Sequence, residues 1–495
     1  MTQSFYVKRC DQENLKVKEG ELILNLDFSG SGYFKLGNQD ETYYGNLYLN
    51  SEQGGILLKI EIKNTGGPLS YLTLPLKTDY ISGELTNGFK LTLYKCNRTK
   101  MQSFIGSKDT FTYEAQFMFE GIEIPKLEQD KFSQVIFTMS DIILWGEASS
   151  YKIDMNQFSL NNNDDNESIE IYADNDYSIE YFVSGTMLPV HESFLLVEEI
   201  KLTQEPVIII KARKSQNFNY FLTKYNIIKQ FIEIAIKKEI HSIKIQAFSP
   251  SHIFEINEIK HESPINVNGY LIKRREKENT KFIDSHSYLF SLKEVLDYGD
   301  FNKYVGNCEK LEPIIDLYLD TILSTDTTAV RAFLNITQAL ETYHSRFKFN
   351  GTIPEFKKRI DKIILKNRPT AFKEDDKKFL MANSKYFVTL ESRLAELLLS
   401  EFEVHFYTGE IDYNKFPEVI AKSRNYYTHY DENLRGKIIE REHLVPYVHI
   451  LMSILEYYLL DELGFNDFQF RREKVWEALK DVRTGFEVRA ASMRK

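Results

Sequence analysis

The chain has 495 residues, 42% of them apolar and 27% charged, the profile of an ordinary globular protein long enough for two or three domains. Its net charge of −10 argues against a general polyanion binder, because non-specific nucleic-acid affinity comes from clustered Lys and Arg, but a local basic site remains open. Three widely separated cysteines, Cys10, Cys96 and Cys308, give neither a disulfide framework nor zinc spacing and fit a reducing compartment.

The N-terminus, Met1-Thr2-Gln3-Ser4-Phe5, lacks the charged-then-apolar layout of a signal peptide, so the expected location is cytoplasmic. The first 300 or so residues read largely as β-structure. Glu84 to Leu93 is a hairpin signal centred on Asn87-Gly88, which suits a type I′ turn. Gly45 to Leu49 and Ile56 to Ile62 flank Gly54-Gly55 as a second pair, and Phe111 to Phe119 and Val135 to Met139 continue the pattern. The polar run 161–166 either divides two β-subdomains or is a surface excursion.

An α/β segment follows. Val207 to Ile210 is a buried-strand candidate, Tyr220 to Lys238 an amphipathic helix and Ile243 to Ala247 a returning strand. No glycine-rich phosphate loop joins them, so no nucleotide cofactor is expected. Gly299, Asn302, Gly306 and Asn307 should interrupt regular structure, and the domain boundary is set there, with 1–305 β-rich and 306–495 helical.

Helical periodicity dominates the remainder. Phe333, Ile336, Leu340 and Tyr343 form one stripe; Leu394, Leu397 and Leu398 belong to another segment. Further helices run from about Tyr413 to Tyr430 and from Val445 to Leu463, the pattern of a four- or five-helix bundle. The apolar stretch from Leu444 to Phe465 contains His449, Glu456, Asp461 and Glu462, and so reads as a buried helix, not a membrane span. Residues 468–495 carry eight Lys or Arg against four Asp or Glu; that tail, Phe356-Lys357-Lys358-Arg359 and Lys377-Lys378 read first as solvated helix surface. The expected fold class is therefore α+β: sandwich-like sheets with an added α/β segment, then an all-α bundle.

The chemistry concentrates in Ser423-Arg424-Asn425-Tyr426-Tyr427-Thr428-His429-Tyr430. On a helical wheel with Phe416 as origin, Val419, Ile420, Ser423, Tyr426, Tyr427 and Tyr430 lie within roughly 80° and form the core stripe. Arg424, Asn425, Thr428 and His429 occupy the polar side. Asn425 and His429 are an i,i+4 pair that can touch. Arg424 and His429 lie about 140° apart, so one straight helix converges them poorly, whereas two copies related by a two-fold axis would bring two of each into one cleft. Histidine moves protons near neutral pH and arginine stabilises charge on a phosphate, which together suit metal-free RNA cleavage.

The bland readings stand beside this one. Arg followed five residues later by His occurs by chance at roughly 0.4 per chain of this composition, and an exposed pair on a solvated helix is its ordinary meaning. His344 reads as packing or a structural hydrogen bond. Glu341 reads first as a solvated helix face, although it could bond a basic group at the site. Trp145 and Trp476 read as core anchors, and His443 and His449 are too widely spaced for a metal pair.

Arg424-Asn425-Tyr426-Tyr427-Thr428-His429 resembles the signature of the HEPN superfamily: Arg, a polar residue, variable positions, then His. Phe333 to His344 looks like the early helix of its ApeA-like branch. Gly45 to Leu49, Ile81 to Leu85 and Phe89 to Leu93 are similar to the β-rich domain that accompanies it. The resemblance implies a metal-independent endoribonuclease of bacterial anti-phage defence that aborts infection. It implies Arg424, Asn425 and His429 as catalytic residues, no cofactor or metal, RNA (tRNA included) as substrate, and a homodimer or higher oligomer formed through the helical domain. The β-rich domain would sense a phage-derived trigger or restrain the nuclease. The rival reading is a non-catalytic dimerisation module whose β-domain binds a protein or phage ligand.

Overall fold

The computed structural model describes residues 28–50, 55–63, 74–102, 108–124, 131–154, 159–163, 165–188, 201–256, 259–269, 288–324, 326–348, 389–406 and 412–476, with Asp375 and Lys378. Cys10, Phe356 to Arg359, Lys377 and the tail beyond 476 lie outside the described residues. The chain forms two compact units. One comprises Met1–Ile143, Ala148–Leu222 and His241–Glu278; the other comprises Leu144–Glu147, Thr223–Ile240 and Asn279–Lys495.

The first unit is β-rich, as expected, and its sheet has a specific form. Strands β1 (Phe28–Leu36), β2 (Thr42–Asn50), β3 (Gly55–Lys63), β4 (Lys77–Leu85), β5 (Lys90–Gln102) and β6 (Lys108–Glu120) run in the order β6-β3-β2-β1-β4-β5, and β5 pairs back onto β6. That pairing closes a six-stranded barrel. Alternate residues point inward, as the two-residue period of a strand requires: Phe34 and Leu36, Leu47 and Leu49, Ile56, Leu58 and Ile60, Leu91 and Leu93, Phe111 and Tyr113 fill one core. Each such side chain contributes about 1.5–3 kcal/mol by leaving water. Gly83 is required by this filling, since a Cβ there would stand 2.4 Å from the Phe34 ring.

The sheet continues through β14 (Ile259–Gly269), β13 (Ser242–Ile256), β7 (Phe132–Met139), β12 (Lys201–Gln216), β11 (Tyr177–Leu188) and β10 (Ile169–Ala173). Strands β8 (Tyr151–Asp154) and β9 (Ser159–Asn162) form a separate pair. The expected strand–helix–strand segment is β12, α2 (Phe218–Ile236) and β13, with β7 antiparallel between the two strands. Phe218 opens the helix against Phe117, Phe119 and Phe132, with ring centroids 5.0–5.9 Å apart. The Asn87-Gly88 hairpin joins β4 to β5, but only Gly88 has a positive φ, +80°. Gly88 N–H donates to the Leu85 carbonyl at 2.9 Å, so the turn is a three-residue loop ending in a left-handed glycine, not type I′.

The second unit is helical. After the single turn α1 (Ile143–Gly146), which buries Trp145 as a core anchor, come α3 (Leu292–Tyr298), α4 (Phe301–Leu323), α5 (Ala329–Tyr343), α6 (Leu390–Leu397), α7 (Phe416–His429) and α8 (Leu444–Glu462). Side-chain caps start four of them: Ser291, Asp300, Thr328 and Thr389 accept from backbone N–H groups of the first turn. The interruption expected around 299–307 occurs only at Gly299 and Asp300. Helix α4 runs through Gly306 and Asn307, because Asn307 gains a bond to Glu462 on α8 at 3.0 Å. Helix α5 is central and packs against α4, α6, α7 and α8, with Phe333, Ile336, Leu340 and Tyr343 all fully buried.

Among the described residues one helical stretch, Arg441–Glu462, is long and apolar enough to cross a membrane by length and composition, and most of it is buried. Its Glu456 is 2% exposed and is met by the Lys237 ammonium and the Tyr318 hydroxyl, each at 2.7 Å. Buried carboxylates partnered in this way belong to a protein core.

Candidate functional site

Helix α7 begins at Phe416, three residues later than the wheel suggested, because Tyr413–Lys415 forms a tighter 3₁₀ turn capped by Asp412. Pro417 in the first turn costs no hydrogen bond. The helix ends at His429, where Tyr430 takes a left-handed conformation (φ +53°, ψ +41°). Its core face is Phe416, Ile420, Ser423 and Tyr427. Tyr430, assigned to that face by the wheel, is exposed because the chain has already left the helix.

Two core-face side chains grip the chain that follows. Ser423 Oγ accepts from the Ile439 N–H at 2.9 Å, and the Tyr427 hydroxyl donates to the Ile439 carbonyl at 2.7 Å. Both backbone groups of a buried residue are thereby satisfied one turn apart on α7. Phe333 of α5 meets the Tyr427 ring edge-on at 6.2 Å. These contacts fix the rotation of α7 and turn its polar residues away from the core.

Arg424, Asn425 and His429 all lie on that polar side. Arg424 is half-buried and its Nη2 donates to Glu341 Oε2 on α5 at 3.3 Å. Its Nη1 reaches Asn425 Oδ1 at 3.4 Å, while Thr428 Oγ1 donates to the Arg424 carbonyl at 2.7 Å. His429 is exposed and has no hydrogen-bond or ion-pair partner among the described residues. Asn425 is therefore joined to Arg424, not to the histidine one turn later. Arg424 and His429 are not in contact either, consistent with their angular separation on one helix.

Arg424 forms one wall of an open cleft of about 400 Å³, lined also by Gln338, Glu341, Thr342, Ser345, Arg346 and Arg393. Three guanidinium groups against one carboxylate make it a basic site in an acidic protein. Beneath it His344 is fully buried: Nε2 lies 2.6 Å from Glu396 Oε2, and Arg393 Nη1 lies 3.3 Å from Nδ1. Because guanidinium can only donate, Nδ1 is the acceptor and Nε2 carries the hydrogen toward Glu396. The structural hydrogen bond expected of His344 is present.

Sequence reasoning missed Arg346 and Arg393; it read Glu341 first as a solvated face, and the structure has its alternative, a bond to a basic group, in Arg424. Gln338, Glu341, Thr342 and Ser345 follow the i, i+3, i+4, i+7 spacing of one helix face, a signal that could have marked the cleft. Arg393 is 49 residues from His344 and gives no local sign.

The family described as ApeA N-terminal domain 1 matches residues 30–307, and that described as Apea-like HEPN matches residues 334–469. The second match contains Glu341, Arg393, Arg424, Asn425 and His429. Comparison with curated proteins and with solved structures gives no match.

Proposed function

The chain belongs to the ApeA family, with its N-terminal domain followed by an Apea-like HEPN domain, and from that premise we propose that it is a metal-independent endoribonuclease of bacterial anti-phage defence. The observation carrying this reading is the placement of Arg424 at the wall of a basic cleft, with His429 exposed and unpartnered among the described residues at the end of the same helix. Neither side chain is consumed by the core.

In the proposed reaction the ribose 2′-oxygen attacks the adjacent phosphorus as the bond to the 5′-oxygen breaks, leaving a 2′,3′-cyclic phosphate and a 5′-hydroxyl. One His429 accepts the proton from the 2′-hydroxyl; the partner's His429 protonates the departing 5′-oxygen. Arg424 stabilises charge on the phosphorane oxygens. Asn425, bonded to Arg424, positions that guanidinium. The two histidine roles and the 140° separation on one helix call for a dimer. Residues 306–495 are the proposed nuclease, and residues 1–305 the part that senses a phage-derived trigger.

The test is cleavage of RNA by the full-length protein in EDTA, with DNA of the same sequence as control. Activity on RNA alone, lost in Arg424→Ala and His429→Ala, supports the reading; undiminished activity in both variants overturns it. The Glu341–Arg424 ion pair favours a second reading, a non-catalytic dimerisation module in which Arg424 is structural. Equal cellular toxicity of wild type and His429→Ala would favour that one.

A further inference from the structure

Arg393 makes the cleft more than a basic patch. The residue is only 9% exposed, yet among the described residues no carboxylate pairs with it, and its Nε is buried without a hydrogen-bond partner. One guanidinium nitrogen is spent on His344, whose far side is held by Glu396. The ring and carboxylate thus brace a cation that is largely out of water and, among the described residues, meets no carboxylate directly, Glu396 reaching it only through the imidazole. Such a group is costly unless an anion completes it.

The surrounding walls are compatible with an anion. Arg346 is exposed and anchored through Nη1 to the backbone carbonyls of Glu309 and Lys310, at 3.4 and 2.8 Å, so its charge also lacks a carboxylate partner among the described residues. Glu341 is the one carboxylate among the lining residues, and Arg424 already engages it. Thr342, Ser345 and Gln338 supply neutral hydrogen-bonding groups along the same wall. Planar guanidinium forks match phosphate oxygens two at a time, which a single lysine could not do.

We propose that this cleft is a second phosphate subsite, in which Arg393 and Arg346 hold a backbone phosphate of RNA beside the one engaged by Arg424. The inference rests on the reading of α7 as the RNA-cleaving element. It gives Arg393 and Arg346 a binding role, separate from the proton transfers at His429. Occupation of the cleft would set the register of the strand relative to Arg424.

The experiment uses full-length His429→Ala, which keeps the RNA intact, and measures binding of a short fluorescein-labelled single-stranded RNA by anisotropy over a range of salt. Adding Arg393→Gln or Arg346→Glu should weaken binding roughly tenfold, the loss expected for a charge-assisted hydrogen bond. Each lost phosphate contact should lower the slope of log K against log salt by about 0.7. A merely structural arginine would leave that slope unchanged. Thermal unfolding checks that Arg393→Gln folds; if it does not, the exposed Arg346→Glu decides alone. Unchanged affinity and slope overturn the subsite even if the wild type cleaves RNA. Conversely, loss of binding in these variants of a protein that never cleaves RNA would sustain the subsite and sink the nuclease reading.

Discussion

The Glu341 carboxylate and the Arg424 guanidinium, on α5 and α7, meet at 3.3 Å with each side chain about one-third exposed. A pair this open contributes no more than about 1 kcal/mol to stability. Its consequence is orientation: it holds Arg424 along the cleft wall. Glu341→Gln should shift thermal unfolding only slightly, while slowing the proposed RNA cleavage by roughly tenfold or more through misplacement of Arg424. A stability loss without a rate loss would make the ion pair purely structural.

The bonds to Ile439 should carry measurable stability. Ser423→Ala strands a buried N–H, and Tyr427→Phe strands a carbonyl, at a cost of about 1–3 kcal/mol each. Urea unfolding of both variants checks this.

Glu456 is a buried carboxylate with two partners to lose. Glu456→Leu leaves the Lys237 ammonium and the buried Tyr318 hydroxyl without their acceptor. Lys237 keeps some access to water, so the expected loss is about 3 kcal/mol, the low end for breaking a buried pair. Glu456→Gln, which still accepts from Tyr318, should lose less. Denaturant midpoints of the two variants order them.

A pH dependence follows from Glu462. Burial raises its carboxyl above the ordinary value of 4.5, partly offset by the Tyr343 hydroxyl and Lys303. The folded state therefore binds this proton more tightly than the unfolded chain. Its contribution is fully present below pH 4.5 and is lost as the pH rises through the higher folded value. Relative to Glu462→Gln, the parent should gain stability as pH falls from neutral toward that range. A pH series of urea melts that shows a constant difference would contradict the assignment.

Local pattern and non-local contact were legible to different degrees. The α5 stripe and the polar side of α7 followed from helical spacing, because an amphipathic helix writes its buried face into three- and four-residue intervals. The end of α7 did not, since the left-handed turn at Tyr430 interrupts a pattern that apolarity alone would continue. Turn residues marked Gly45 to Leu49 and Ile56 to Ile62 as paired strands but carried no sign that β5 returns to β6. Barrel closure depends on which strands become neighbours, a property of the whole chain. The Arg393–His344–Glu396 chain was hidden for the same reason. Each member has an ordinary local context, and only packing of α6 near the end of α5 joins them.

The grip of Ser423 and Tyr427 on Ile439 closes a loop on the helix that the loop has just left. Residues 430–438 leave α7 at His429 and are tied back to the same helix at Ile439, so the segment is a tethered ring with most of its side chains in solvent. Changes of charge or shape within it need not alter the rotation of α7. The exposed rim can therefore change its surface while the helix beneath keeps its geometry, so the two answer to different constraints: the rim to solvent, the helix to the core.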